Sequence, residues 1–326
     1  MNSYSFVIPS NRPYTSIEPL LLSITKQTYT ATSVIIVRDH ASTLSERNEY
    51  RSQVEQLCID TNSKVTIVSI HNDSNFHVGK GASYVRNYGR KVVQTPSMIF
   101  VDDDNSFEHD FAEKLAKQRD DHPDAIIVPT QYQGQSSEIR QNVVADGFSY
   151  RMCRPRRIQH STFSLRSSAE QAIQHWISLI PITLASSNCL SWPTAVFAKY
   201  PFDEEVPFIY EDLLATWQMS THNISLLVAT NIAIYHHHKQ RNKAGELYVD
   251  HPQKAYYKGK HRIILVHTIG NTWQKIVFWT LGIRWHTVWL LLTIFLYCPL
   301  KLWWPCITGL LQGTRDGMQV VIRHKC

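Results

Sequence analysis

Three groups of residues have the side chains and spacing to do chemistry together. Asp102, Asp103 and Asp104 stand in a row within IFVDDDN. Adjacent carboxylates repel one another unless a cation lies among them. Hard oxygen donors suit Mg²⁺ or Mn²⁺ bridging phosphate oxygens. The plainer reading is a solvated acidic turn, with Asp104 or Ser106 capping a following helix. Glu211-Asp212 opens an apolar helical pattern of Leu213, Leu214 and Trp217. The helix dipole favours acids there anyway; alternatively, Asp212 is a general base that takes a proton from an attacking hydroxyl. His236-His237-His238 closes a strand-like run. Alternation places His236 and His238 on one face, and neutral imidazole can complete a carboxylate metal site.

Two further stretches bear on a nucleotide. Asp39 follows VIIVR, where a carboxylate can accept hydrogen bonds from a base or ribose, or simply be a polar loop residue. HVGKGASYVRNYG brings glycines and cations that suit a diphosphate. It is no Walker A loop, because Gly81 rather than Ser or Thr follows Lys80. Arg86, on the following helix, either pairs with phosphate or braces the aspartates.

Something must hold these residues in place. Five short β-branched runs, Tyr4–Pro9, Ser33–Arg38, Lys64–Ile70, Ser97–Val101 and Asp124–Pro129, are nearly continuous in apolar character. Strands buried on both faces read this way. Helical spacing lies between them, at Ile17, Leu20, Leu21 and Ile24, at Val54 and Leu57, and at Phe111 and Leu115. The alternation predicts an α/β fold with a mostly parallel, doubly wound sheet and helices on both faces. Ligands then bind beyond the carboxyl ends of the strands, where Asp39 and the three aspartates fall. After residue 131 the pattern predicts a loop, a basic cluster at 151–157, a helix around 168–179, a polar turn at Ala185–Asn188 and a strand at Ile232–Tyr235.

The order of FVIPSNRP, GASYVRNYG, IFVDDDN, ASSNCL, PFDEEVPFIYEDL and IYHHH resembles a family 2 glycosyltransferase of GT-A fold, over roughly residues 4–240. The resemblance implies an inverting, metal-dependent transfer of a sugar from a nucleotide diphosphate sugar, with Asp212 as base. It implies nucleotide-sugar contacts from Pro9, Ser10, Arg12, Asp39, Arg86, Asp102 and Asp103. Asp104 with His236 or His238 would hold the divalent cation. Ser187, Asn188 and Glu211 would face the acceptor. The expected organisation is a nucleotide-sugar half at 1–130, an acceptor half at 131–251 and a helical tail at 252–326. YYKGKHRIILVHTI is similar to the Tyr-rich segment that follows the catalytic domain in many members, departing from it at Lys260-His261-Arg262.

Charge separates the tail from the rest. Residues 239–326 carry 13 Lys/Arg against 3 Asp/Glu, net +10, and six of the nine Trp; residues 1–238 carry 20 against 24, net −4. A basic, Trp-rich end suits a membrane surface. The longest uncharged run, Trp285–Leu300, has 16 residues, short of the roughly 20 that a simple spanning helix needs. Helices lying in the headgroup region are therefore expected. The first apolar run, Tyr4–Ile8, is too short for a signal segment, so the expected location is the cytoplasmic face of a membrane. The six Cys form no CxxC pair and suit a reducing compartment. The acceptor is expected to be a glycan or lipid-linked; the 151–157 cluster suits one bearing phosphate. A nucleotidyltransferase would want a glycine-rich loop after the first strand, and PSNRPYTS has no Gly. A non-catalytic membrane adaptor is a second rival. Nucleic acid is not an expected partner, since the tail sets Trp beside Leu and Ile rather than interleaving it with Lys and Arg.

Overall fold

The computed structural model describes residues 3–39, 43–58, 64–69, 80–133, 145–149, 154–157, 179–182, 184–185, 189–237 and 251–323. The first stretch of chain runs β1 (Tyr4–Ser10), α1 (Tyr14–Thr25), β2 (Ser33–Arg38), α2 (Leu44–Cys58), β3 (Lys64–Ser69), α3 (Ala82–Val92) and β4 (Ser97–Val101). There follow β5 (Asn105–Phe107), α4 (Phe111–Asp121), β6 (Ile126–Gln133), β7 (Ala145–Ser149), β8 (Arg154–Arg157), β9 (Leu179–Ile182) and β10 (Cys189–Pro193). The last part holds α5 (Thr194–Lys199), α6 (Glu211–Thr221), β11 (Leu226–His236), α7 (Pro252–Ile269), α8 (Thr272–Val277), α9 (Ile283–Tyr297) and α10 (Trp303–Arg323).

The five expected strands all form and share one sheet in the order β3-β2-β1-β4-β10-β6-β11-β5, with β9 also on β11. β1 is buried along its length and pairs in parallel with β2 on one side and β4 on the other. Although its sequence is apolar throughout, its faces differ. Phe6 and Ile8 pack with Ile17, Leu20 and Leu21 of α1, while Val7 packs with Val85 of α3 and with Phe100, Trp192 and Phe202. Helices therefore cover both faces, as the doubly wound pattern requires. The sheet is mostly parallel, as expected, with β10 antiparallel between β4 and β6, and β5 and β9 antiparallel to β11. β10 is only five residues ending in Pro193, and nothing in its pattern marks it as a strand. β11 begins six residues earlier than the run at Ile232 suggests, with a register shift between Ala229 and Ala233. Of the helix expected around 168–179, Leu179 opens β9 instead, and the rest lies outside the described residues.

Two compact units emerge. The first comprises Met1–Asp146, Arg157–Pro207 and Ala215–His238, and holds the large sheet. The second comprises Gly147–Arg156, Phe208–Leu214 and Lys239–Cys326. Within it, α7 and α10 pack closely because glycines face the partner backbone: a Cβ on Gly309 would stand 2.6 Å from the Pro252 carbonyl oxygen, and one on Gly317 2.7 Å from that of Lys260. Thr272–Leu296 forms one 25-residue helix whose most apolar 18-residue window has a mean hydropathy of 1.2 and is 17% buried. It is long and apolar enough to cross a membrane, which the 16-residue run did not suggest. Arg284 does not interrupt it; the chain instead inserts a π turn at Phe278–Gly282. Trp273, Ile276, Leu281, Trp285, Val288 and Leu292 are exposed along it. Cys298 and Cys306, distant from each other in any motif, meet with sulfurs 3.4 Å apart.

Candidate active site

The acidic cluster forms where strands end. Asp102 follows β4, and Asn105 opens β5 after a turn in which the Asn105 side chain donates to the Asp102 carbonyl at 3.0 Å. Asp103 and Asp104 are buried. Each of the three carboxylates has its own partner. Arg86 Nη2, reaching up from α3, donates to Asp102 Oδ1 at 3.0 Å. Ser10 Oγ, at the tip of β1, donates to Asp103 Oδ2 at 2.7 Å. Arg12 sets Nη2 3.0 Å from Asp104 Oδ2 and Nε 3.5 Å from Asp103 Oδ1. Arg86 thus braces Asp102.

Electrostatics follow from this packing. Burial raises the Asp102 carboxyl to about 7, with Arg86 pulling the other way and the two neighbouring aspartates adding to the rise. Burial also raises Asp103, against the opposing pull of Arg12 and the Ser10 hydrogen bond. Arg12 keeps 37% of its side chain exposed, so its charge is within reach of an anion from solvent.

His236 joins the cluster through strand pairing. The antiparallel β11–β5 ladder sets His236 opposite Asn105. The His237 backbone N–H donates to the Asp104 carbonyl at 2.7 Å, and the His236 ring brings Nε2 to 3.3 Å from Asp104 Oδ1. His237 turns the other way, to Ser106 Oγ at 2.5 Å, as alternation predicts. His238 lies outside the described residues. Among the described residues, no three His, Cys, Asp or Glu are grouped to hold a metal ion. The pair nevertheless suits one: donors 3.3 Å apart match adjacent positions on a six-coordinate ion with bonds of roughly 2.1 Å, which lie about 3 Å apart. Mg²⁺-type ions commonly take one or two protein ligands and complete their shell with phosphate and water.

Asp39 accepts from backbone. Its Oδ1 accepts from Lys80 N–H at 3.0 Å and its Oδ2 from Gly81 N–H at 2.9 Å, at the entry to α3. Gly81 takes φ +94°, and a Cβ there would stand 2.6 Å from Pro207; only glycine fits. Asp39 thus orders the loop that launches Arg86. Pro9 lies in β1 opposite Val37, leaving Ser10 and Arg12 as the side chains that reach the aspartates.

Glu211 and Asp212 belong to the second unit. They form the first turn of α6, Glu211 buried and Asp212 half-buried. The chain enters that turn under strain, with φ of 62° at Ile209 and 72° at Tyr210. Consecutive non-glycine residues in the left-handed region, one of them β-branched, cost of order 1–3 kcal/mol each. Ser187 and Asn188 lie outside the described residues, and Arg154 and Arg157 bound β8, which pairs with β7.

Residues 5–167 match the sequence profile of glycosyl transferase family 2, half of the chain. The chain belongs to this family. It is a glycosyltransferase, with the α/β fold that the strand pattern predicts. Solved structures agree in fold. TarS 1–349 of S. aureus shares 16% identity at a TM-score of 0.52, covering 98% of this chain and 82% of that one. The same protein in complex with UDP-GlcNAc gives 0.54 at equal coverage and identity. GalNAc-T7 with UDP, GalNAc and Mn²⁺ gives 0.57 at 10% identity, covering 88% of this chain and 56% of that one. No curated protein matches the glycosyltransferase by sequence.

Proposed function

We propose that the chain moves a sugar from a nucleoside diphosphate sugar to an acceptor hydroxyl, inverting the anomeric configuration. The observation that carries this reading is the strand-end cluster of Asp102, Asp103 and Asp104, with Arg12 and His236 gathered on Asp104. Such a cluster of buried acids beside cationic groups suits a diphosphate and its counter-ion. In a single displacement, the acceptor oxygen attacks the anomeric carbon while the bond to the diphosphate oxygen breaks. The leaving oxygen keeps that electron pair. Asp212 takes the acceptor proton as general base, and no second carboxylate is needed as nucleophile.

Asp104 and His236 would hold a divalent cation, Mg²⁺ or Mn²⁺, which when bound offsets the charge growing on the departing diphosphate. Arg12 lends a fixed positive charge to the same end. Asp102, Asp103 and Arg86 serve the nucleotide, Asp39 contacts it from the end of β2, and Glu211, Ser187 and Asn188 serve the acceptor. Residues 1–130 serve the donor and 131–251 the acceptor. The solved relatives hold UDP-GlcNAc, or UDP with GalNAc and Mn²⁺, which makes UDP sugars the first donors to try.

The tail attaches the enzyme to the cytoplasmic face of a membrane. Exposed Trp273, Trp279, Trp285 and Trp304 beside Lys275, Arg284 and Lys301 match the aromatic and basic residues of the headgroup region. A lipid-linked acceptor bearing phosphate then suits the basic 151–157 segment. Two assays test these assignments. Nucleotide sugars supplied with divalent metal should yield free nucleoside diphosphate for one donor; no release from any donor overturns the transfer. Neutralising Arg154, Arg156 and Arg157 should weaken lipid-linked acceptor use while sparing donor hydrolysis; equal loss of both would count against that acceptor.

A further inference from the structure

We infer that His261 is a positioning residue: it latches the strained Phe208–Tyr210 segment from α7 and thereby fixes Asp212. This rests on the reading of Asp212 as base. His261 is fully buried. Its Nδ1–H donates to two successive carbonyls, Phe208 at 2.5 Å and Ile209 at 3.2 Å. Those carbonyls belong to the peptide units that lead into the left-handed residues Ile209 and Tyr210, so the donor grips the chain where its conformation is least favourable.

Neighbours on the same helix close around the segment. The Tyr257 ring lies on the His261 ring at 4.9 Å and meets Phe208 edge-on at 6.1 Å. The Arg262 guanidinium stands 5.9 Å from the Tyr210 ring centre. Tyr210 in turn accepts the Leu214 N–H at 3.0 Å, closing the helical turn that contains Asp212. A shift at Ile209 therefore passes through one hydrogen-bonded turn to the carboxylate, with no flexible residue between.

A latch needs a fixed mount, and α10 supplies it. Gly313 and Gly317 admit the α7 backbone at Tyr256 and Lys260, the turn that carries Tyr257 and His261. Tyr256 Oη also donates to Asp316 Oδ2 at 3.0 Å. His261 thus puts an imidazole N–H where a directed donor meets the two carbonyls. Displacing a reacting group by about 1 Å can cost of order 100-fold in rate, so a loosened turn should appear in turnover rather than in donor affinity.

His261→Phe retains the ring and removes the donor; His261→Asn retains a donor near the Nδ1 position and removes the ring. In the full-length chain, the Phe variant should lose about 100-fold in kcat with KM for the donor within twofold of the parent. The Asn variant should recover at least tenfold of that loss. Amide hydrogen exchange across residues 207–214 should quicken at least tenfold in the Phe variant and stay near the parent in the Asn variant. Unchanged exchange in the Phe variant overturns the latch whatever the activity, and quickened exchange with parental kcat overturns its role in positioning. A parent chain that releases no nucleoside diphosphate from any donor sinks the transfer reading and the positioning role with it, while the exchange result still decides the latch.

Discussion

Asp104 and Asp212 sit on turns of different construction. Around Asp104 the chain uses charge and the strand ladder: each of the three carboxylates meets an arginine or a hydroxyl from another element, and β11–β5 pairing delivers the histidine. Around Asp212 the visible device is backbone geometry: two unfavourable torsions are kept in place by contacts from a helix some fifty residues later. The difference teaches that the acidic cluster depends on local sequence and sheet register, whereas the Glu211-Asp212 turn depends on how well the C-terminal helices pack.

That contrast can be broken most sharply at the acids themselves. Asp212→Asn should cost about 10³-fold or more in kcat, within the span that acid–base groups contribute, with nucleoside diphosphate affinity unchanged by titration calorimetry. Asp104→Asn should lower activity by at least the roughly 10–100-fold that loss of an outer-shell partner costs and raise the metal concentration needed for half-maximal rate, a shift Asp212→Asn should not produce. Chelation of the divalent ion should abolish parent turnover and be reversed by its return.

Smaller effects sharpen the comparison through stability. Gly313→Ala would drive a Cβ into the Tyr256 backbone and should cost about 1–3 kcal/mol, read as a lowered melting temperature. Its counterpart on the cluster side, Gly81→Ala, meets both Pro207 and a positive φ, and should also release the N–H groups that Asp39 grips. The smallest change is Asn271→Ala, which removes the capping box at the start of α8. It should cost about 1 kcal/mol and leave turnover alone.

Much of the first region was legible in the sequence. Continuous β-branched runs marked β1, β2, β3, β4 and β6, and the position of IFVDDDN at a strand end put its acids at the edge where ligands bind. The three histidines marked the end of β11. What the sequence did not reveal was the partner: Asn105–Phe107 is too short to read as a strand, so the pairing that carries His236 to Asp104 was hidden. The bound carboxylate of Asp39 was hidden too, since backbone N–H groups leave no sequence signal. The second region was less legible still. PFIYED has no glycine, so nothing local announces positive φ at Ile209 and Tyr210; tertiary contacts overrode propensity there. Lys260-His261-Arg262 looked like a departure from the family pattern, and only the fold reveals what the histidine touches. Arg284 read as a break between apolar runs because charge punctuates a sequence more visibly than it punctuates a helix.

The π turn at Phe278–Gly282 carries a consequence for the surface downstream. On a regular helix, Phe278 and Leu290, both buried, would sit about 120° apart around the axis; the one surplus residue brings them within about 20°. Excising a single amino acid there would leave hydropathy nearly untouched yet wring the helix like a cloth, sending its sheltered seam and its greasy ribbon off in new directions at once.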